Sequence, residues 1–91
     1  MNKTWFVYLA RCNDNTLYCG ITNNIIKRFW QHNGLKQGGA KYTKARRPII
    51  LQTFYQVSDK SSALKLEYTI KQLPKHKKIL YLESLQHGSK T

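Results

Sequence analysis

The sequence predicts a single domain of the α+β class, in which a small, three-stranded, mainly antiparallel sheet is flanked by helices in the order β-β-α-β-α-α. The first observation is the segment WFVYLARCNDNTLYCG at 5–20, which alternates as a β-hairpin does. The second is a set of three later segments with apolar residues at helical spacing, the first two separated by a β-rich segment. Because 91 residues fill one core, we expect one domain over 1–91, with its core at about 4–85 and a frayed tail at 86–91.

The hairpin places two tyrosines on one face of the predicted sheet. The turn cluster NDN at 13–15 separates two segments rich in aromatic and β-branched residues. A three-residue loop there sets Ala10 opposite Tyr18, so that Tyr8, Tyr18 and Gly20 share one face. Strand propensity alone leaves open whether the two tyrosines serve the sheet or a reaction.

The two cysteines, Cys12 and Cys19, fall on opposite faces of the same hairpin. They lack the spacing and the histidine partners of a zinc site, so we expect free thiols. The N-terminus has no long apolar segment ahead of a small-residue cleavage site, and no run approaches the roughly 18 apolar residues of a membrane span. We therefore expect a cytoplasmic protein.

A first helix is predicted after the hairpin. Thr22 or Asn23 can cap it, and Gly34 ends it. Its apolar face is expected to hold Ile25, Ile26, Phe29 and Trp30. Arg28 and His32 are four residues apart on an adjoining face. Two such groups suit a phosphate better than they suit one another, so we take both as candidate site residues.

A basic loop, LKQGGAKYTKARRP at 35–48, follows this helix and contains no acid. It is long for a connection in a small domain, which indicates a functional loop. Its candidate nucleic-acid-binding residues are Lys41, Tyr42, Lys44, Arg46 and Arg47. Tyr42 among these bases is either a stacking platform for bases or sugars or an anchor of the loop to the core.

The C-terminal half is predicted to hold one strand and two helices. The strand is expected at 49–57, and a helix capped by Ser58 or Asp59 ends before Pro74. The apolar stripe of that helix comprises Ala63, Leu66, Ile70 and Leu73. A final helix at roughly 75–85 is expected to pack Ile79, Leu80, Leu82 and Leu85.

Net charge is the strongest signal in the composition, because sixteen lysines and arginines face four carboxylates and give +12. Such an excess repels itself in the folded state, so a polyanionic partner is the natural explanation. A membrane surface is disfavoured, because no segment gathers its bases on one face of a strongly amphipathic helix. The composition therefore predicts nucleic acid as the partner.

Glu67 is the one acid whose position is ambiguous. Asp14 lies in the predicted turn, Asp59 at a helix cap and Glu83 near the end of the last helix. Glu67 lies at the edge of the buried face of its helix, where a carboxylate needs a partner or a solvated cleft. One alternative is an i,i+4 ion pair with Lys71, worth about 0.3–0.5 kcal/mol. The other is a functional carboxylate, and helix geometry alone favours the ion pair.

Together these residues resemble the signature of GIY-YIG endonucleases. The triplets VYL and YCG are similar to its two halves, with Tyr8 in the first and with Tyr18 and Gly20 in the second. Arg28 and Glu67 follow in the order in which that family keeps an arginine and a metal-binding glutamate.

The resemblance covers about residues 4–83. GAKYTKARRP is similar to a segment of small, stand-alone, single-domain bacterial members, in the branch often compared with the GIY-YIG nuclease domain of excinuclease. The first half of the signature reads FVY rather than Gly-Ile-Tyr. Many family nucleases carry an asparagine after the glutamate, whereas this chain has none beyond position 33.

The resemblance implies a metal-dependent DNA endonuclease that is directed by DNA structure in repair or processing. It implies that Glu67 holds one divalent ion, Mg²⁺ or Mn²⁺, with the remaining positions taken by water and phosphate. Tyr8 would be the general base or position the water, and Tyr18 would orient water or phosphate. Arg28 would stabilise the transition-state charge, and His32 would assist phosphate binding or proton transfer. Gly20 would leave room for a backbone to approach.

Two other functions remain open at this point. One is a non-catalytic nucleic-acid-binding module on the same fold, and the other is a basic RNA-associated accessory protein. The nuclease requires Tyr8, Tyr18, Arg28 and Glu67 to line one cleft. The nuclease hypothesis fails if Glu67 instead pairs with Lys71 on the far side from the sheet tyrosines. A chain this short has little room for a specificity domain, so we expect a monomer or weak dimer to which a protein partner can supply specificity.

Overall fold

The computed structural model describes residues 4–88, with side chains described as far as Gln86. The elements are, in chain order, β1 (Trp5–Arg11), β2 (Leu17–Thr22), α1 (Ile25–His32), α2 (Lys41–Lys44), β3 (Ile50–Val57), α3 (Lys60–Lys71) and α4 (Lys75–Gly88). The strands form one antiparallel sheet in the order β2-β1-β3. The predicted fold class and element order are confirmed, and the short helix α2 inside the basic loop is an addition.

The register of the hairpin is the one that the sequence predicts. Ala10 pairs with Tyr18, and Tyr8 pairs with Gly20. The turn closes with a 2.9 Å hydrogen bond from the backbone N–H of Cys12 to the carbonyl oxygen of Thr16. Both tyrosines therefore face the same side of the sheet.

The two faces of the sheet pack against different elements. On one face a cluster of buried residues joins β1 and β2 to α3 and α4, and it comprises Val7, Leu9, Cys19, Ala63, Ile70 and Leu82. On the other face Tyr8, Ala10, Cys12 and Ile49 are buried, and Ile25 and Phe29 of α1 pack against them. The two cysteines are free and on opposite faces, as predicted, and both are buried.

Helix α1 differs in two details from its prediction. Its cap is Asn24, whose side chain accepts from the backbone N–H of Lys27 at 3.0 Å. Ile26 and Trp30 are 65% and 46% exposed, so the predicted four-residue apolar face is wrong. An eight-residue helix buries one stripe, and the position one turn beyond Phe29 on that stripe is taken by the fully buried His32.

Helices α3 and α4 are close to their predictions. Asp59 caps α3 by accepting from the backbone N–H of Ser62 at 2.7 Å. Leu80 is 67% exposed rather than packed, and α4 continues three residues beyond the predicted end, to Gly88. The remainder of the predicted frayed tail lies outside the described residues. No helix within residues 4–88 is both long and apolar enough to cross a membrane.

The basic loop is tied to the end of α1 and to the start of β3. Asn33 donates to the carbonyl oxygen of Ile49 at 2.9 Å and accepts from its backbone N–H at 2.6 Å. The guanidinium of Arg47 donates to the carbonyl oxygen of His32 at 2.6 Å. These contacts place α2 beside the sheet face that carries the two tyrosines.

Candidate active site

A buried chain of hydrogen bonds links the sheet, α1 and the basic loop. The hydroxyl of Tyr8 lies 2.7 Å from His32 Nε2, and His32 Nδ1 lies 3.0 Å from the hydroxyl of Thr43. The Thr43 hydroxyl donates to the carbonyl oxygen of Ala40 at 2.8 Å. Tyr8, His32 and Thr43 are all completely buried, so each of these polar groups depends on its neighbours for hydrogen bonds.

Burial moves the two titratable groups of this chain in opposite directions. It raises the pKa of Tyr8 to about 12, and the adjacent Arg28 guanidinium offsets only part of that effect. It lowers the pKa of His32 to about 4, and the positive charges of Arg28 and Arg47 lower it further. At neutral pH the pair is therefore a neutral phenol beside a neutral imidazole.

The buried imidazole makes stability depend on pH, and the sign follows from its lowered pKa. The unfolded chain binds a proton at His32 below about pH 6.5, whereas the folded protein resists protonation to about pH 4. The stabilisation is complete above about pH 6.5 and is lost as the pH falls toward 4, by at most about 3 kcal/mol. We expect urea unfolding at about pH 7 and pH 4.5 to show this loss in the wild type. A His32→Gln variant with an equal loss would contradict it.

Tyr18 and Tyr42 extend the aromatic cluster from the buried Tyr8 toward the surface. The Tyr18 ring lies 6.4 Å from that of Tyr8 and stacks on that of Tyr42 at 5.7 Å. The Arg46 guanidinium lies 3.8 Å from the Tyr42 ring centre and pairs with Asp14 at 3.0 Å. Tyr42 thus contacts Tyr18 of the sheet, as an anchor of the loop would, and 37% of the residue remains exposed, as a stacking platform requires.

Arg28 reaches toward the same hydroxyl from α1. It lies close enough to Tyr8 to lower the pKa of that phenol, while one of its nitrogens donates at 2.9 Å to Gln31 Oε1 and to the carbonyl oxygen of Gly38. Both of these acceptors are neutral, and no carboxylate within residues 4–88 pairs with Arg28. The guanidinium is therefore held in place with its charge uncompensated.

Glycine is required at position 20 for a steric reason that the sequence did not reveal. A Cβ there would lie 2.5 Å from the Tyr8 hydroxyl oxygen and 3.1 Å from the Tyr18 ring. The missing side chain therefore makes room for the Tyr8 hydroxyl at the edge strand β2.

Two cavities flank Gly20 along β2. One, of about 280 Å³, is lined by Leu17, Tyr18, Cys19, Tyr42, Lys71 and Lys78. The other, also of about 280 Å³, includes Ile21, Thr22, Lys27, Arg28 and Gln31. Both carry cationic side chains, and Gly20, which makes room for the Tyr8 hydroxyl, lies between their lining residues in the sequence of β2.

Glu67 stands apart from this cluster. Its carboxylate pairs with Lys71 at 3.1 Å and is 19% exposed. No hydrogen bond joins it to Tyr8, Tyr18 or Arg28 in the part of the chain that the structure describes. It acts electrostatically on Cys19, which faces α3 rather than α1. Glu67 is connected to the tyrosines through its ion-pair partner Lys71, which lines the same cavity as Tyr18.

The donor set suits a weakly held hard cation rather than a closed metal cage. Residues 4–88 contain no group of three or more histidine, cysteine or acidic side chains able to hold a metal. A single partly exposed carboxylate matches the way Mg²⁺ binds through one or two carboxylates, its own waters and a substrate phosphate. Glu67 fits that chemistry, provided that Lys71 gives up its ion pair.

The loop bases divide into two groups. Lys41 and Lys44 are exposed on α2. Arg46 is engaged with Asp14 and the Tyr42 ring, and Arg47 with backbone oxygens at the end of α1. Among the candidate loop residues, Lys41 and Lys44 are consequently the basic side chains that are available to a phosphate.

The sequence did not single out Thr43. A small β-branched hydroxyl residue between Tyr42 and Lys44 in the stretch KYTK is the signal that could have indicated it. Its hydrogen-bond partner lies eleven positions away on another element, which no local pattern reveals.

This fold and this cluster define a class of protein, a small α+β domain with a nuclease fold. A model of the GIY-YIG catalytic domain matches residues 4–80, and the chain belongs to the GIY-YIG family. Its relatives are small stand-alone members that carry the name UPF0213.

Two of these relatives show how close the similarity is. The UPF0213 protein SH2523 of Staphylococcus haemolyticus is 44% identical over 86% of this chain and 93% of its own. YazA of Bacillus subtilis is 43% identical over 91% of this chain and 82% of its own. A solution structure of the protein EF2693 from E. faecalis superposes with a TM-score of 0.63 at 29% identity, over 94% of this chain and 92% of that one.

Proposed function

We propose that this protein is a metal-dependent DNA endonuclease that hydrolyses phosphodiester bonds, directed by the structure of its substrate in DNA repair or processing. The observation that carries the proposal is the convergence of Tyr8, Tyr18, Arg28 and His32 between two cationic cavities. Membership of the GIY-YIG family supports the chemistry, and the net charge of +12 supports a nucleic-acid substrate.

The two cavities suggest the path of the nucleic-acid backbone along β2. Lys71 and Lys78 line one cavity and Lys27 and Arg28 the other. A nucleic-acid strand that spans both cavities passes Gly20, whose missing side chain makes room for the Tyr8 hydroxyl. The scissile phosphate lies at that crossing in this proposal.

Substrate binding has to uncover Tyr8, because its side chain is completely buried in the free protein. Arg28 is the group best suited to move. Its hydrogen bonds to Gln31 and Gly38 are to neutral oxygens, whereas a phosphate carries opposite charge and can accept two parallel hydrogen bonds from a guanidinium. A bound phosphate thus recruits the guanidinium, where it stabilises the charge that develops on the phosphoryl oxygens.

Proton transfer follows the buried hydrogen-bond chain. Tyr8 accepts a proton from the attacking water while its own hydroxyl proton passes to His32 Nε2, across a heavy-atom distance of 2.7 Å. The phosphate raises the pKa of His32, since it compensates the charge of Arg28 that otherwise lowers it. Tyr18 orients the water or the phosphate.

Glu67 is the proposed ligand of one Mg²⁺ or Mn²⁺. When bound, the ion supplies neutralising charge for the phosphoryl and leaving oxygens. Glu67 must exchange Lys71 for that ion, and the released ammonium then becomes available to the phosphate backbone.

A non-catalytic nucleic-acid-binding module is the second candidate, and the Glu67–Lys71 ion pair favours it. In that case the carboxylate serves the lysine alone, and the cavities bind a backbone without cleaving it.

One experiment distinguishes these two functions. Single-stranded, duplex, flap and junction DNAs, and a structured RNA, are incubated with the protein and Mg²⁺ or Mn²⁺. Metal-dependent cleavage of a branched DNA supports the endonuclease, and binding without cleavage of any substrate supports the module. Preference for the RNA would favour an RNA-associated protein.

The salt dependence of binding tests the division of the loop bases. We expect Lys41→Ala and Lys44→Ala each to reduce the slope of log K against log salt by up to about 0.9 on duplex DNA. Lys77→Ala, an exposed lysine on α4, serves as the charge-matched control and should leave the slope near that of the wild type. Unchanged slopes in both loop variants would exclude the loop from the interface.

A further inference from the structure

We infer that Thr43 is a positioning residue, which fixes the tautomer of His32 so that Nε2 is free to take the proton of Tyr8. This inference deepens the proposed function and rests on it for its catalytic consequence. Its structural part, the tautomer, stands on the hydrogen bonds alone.

The direction in which the hydrogen bonds run from Tyr8 through His32 to Thr43 follows from the donors and acceptors available to each group. Tyr8 must place one hydroxyl hydrogen, and the neighbouring Arg28 has only donors. His32 Nε2 is the acceptor within reach of that hydrogen in residues 4–88. Nε2 therefore carries a lone pair, and the ring hydrogen of the neutral imidazole is on Nδ1.

Thr43 sets the direction of the hydrogen bond on the Nδ1 side of His32. Its hydroxyl hydrogen goes to the carbonyl oxygen of Ala40, so its oxygen is left as an acceptor for the Nδ1–H of His32. The opposite tautomer would turn Nε2 into a donor and leave the Tyr8 hydrogen without an acceptor in a completely buried site. Each group in the observed arrangement donates once along a single direction.

The position of Thr43 connects this tautomer to the substrate-binding loop. It lies in α2, between Tyr42, which stacks on Tyr18, and Lys44, which is exposed for a phosphate. Docking of α2 against the sheet thus adds the second of two constraints on the tautomer, and an undocked loop would leave only the contact with Tyr8 to hold it.

The test combines a variant that removes the hydroxyl with one that keeps it. Thr43→Val is nearly isosteric and lacks the hydroxyl, whereas Thr43→Ser retains it. Long-range ¹H–¹⁵N correlation spectra of histidine-labelled protein report which ring nitrogen carries the hydrogen, and loss of a signal in His32→Gln assigns it. We expect the Nδ1–H form in the wild type and in Thr43→Ser, and a shift toward Nε2–H in Thr43→Val.

Cleavage kinetics supply the second readout. We expect Thr43→Val to lower kcat at least about tenfold with KM for DNA unchanged, and Thr43→Ser to restore it. An Nε2–H signal in the wild type overturns the inference even if Thr43→Val does not fold, and so does an unchanged tautomer and kcat in a folded Thr43→Val. If the wild type cleaves no DNA, the proposed endonuclease fails, while the spectra still decide the role of Thr43.

Discussion

Replacing Glu67 by alanine is expected to abolish DNA cleavage, with a loss of about 10²-fold or more, while the protein stays folded and bound to DNA. The carboxylate is the proposed metal ligand, and in the free protein it forms a 3.1 Å ion pair with Lys71. Because the variant frees a lysine that lines the cavity beside Tyr18, its affinity for DNA should be unchanged or slightly higher. Single-turnover cleavage and equilibrium binding at the same salt concentration measure the two effects.

The matched control is Glu83→Ala, which removes an exposed carboxylate from α4. It changes the net charge by the same amount, so a purely electrostatic effect would appear equally in both variants. Full cleavage by Glu67→Ala would refute the proposed metal ligand. Lost binding in Glu67→Ala alone would indicate instead that the ion pair with Lys71 is structural.

Removal of the hydroxyl oxygen of Tyr8 is expected to lower the rate of DNA cleavage strongly, second only to the loss of Glu67. Tyr8→Phe keeps the ring, which packs against Phe29 at 5.1 Å, but breaks the 2.7 Å contact with His32. We expect cleavage to fall by about 10²–10⁴-fold, the range for loss of a general acid–base group. The buried imidazole nitrogen also loses its partner, so the free energy of unfolding should fall by about 1–3 kcal/mol.

Tyr55→Phe makes the same chemical change on the opposite face of the sheet. Tyr55 lies on β3 and packs with the cluster under α3 and α4, away from His32. Cleavage should therefore be retained in this control. Equal rates in Tyr8→Phe and the wild type, measured below the unfolding temperature of the variant, would remove Tyr8 from the mechanism.

The sequence was most informative where the cause of a structure is local. Alternation and a three-residue turn predict the hairpin register, and with it the shared face of Tyr8 and Tyr18. Asp59 as a cap and the element order also follow from neighbouring residues. Local periodicity failed at Trp30 and Leu80, since exposure there depends on what the rest of the fold brings to each helix face.

In the basic loop, too, local sequence predicts the general property, whereas contacts with distant segments decide the role of each side chain. The composition of the loop correctly indicates a basic surface, yet the four basic candidates look equivalent in the sequence. Asp14 engages Arg46 across 32 positions, and the end of α1 engages Arg47. Among the candidates, these contacts between distant segments leave Lys41 and Lys44 as the exposed bases, a selection that composition cannot make.

By itself the sequence determined the class of fold, the face on which the two tyrosines lie and the excess of positive charge that predicts a polyanionic partner. These properties depend on residue type, on a period of two or 3.6 and on net charge, all of which are local or additive. Only the tertiary structure decided that His32 is buried between Tyr8 and Thr43, that Gly20 accommodates a hydroxyl and that Lys71, the partner of Glu67, lines the cavity of Tyr18. Burial and hydrogen-bond direction depend on every element that packs around a group, so they are fixed only when the whole chain has folded.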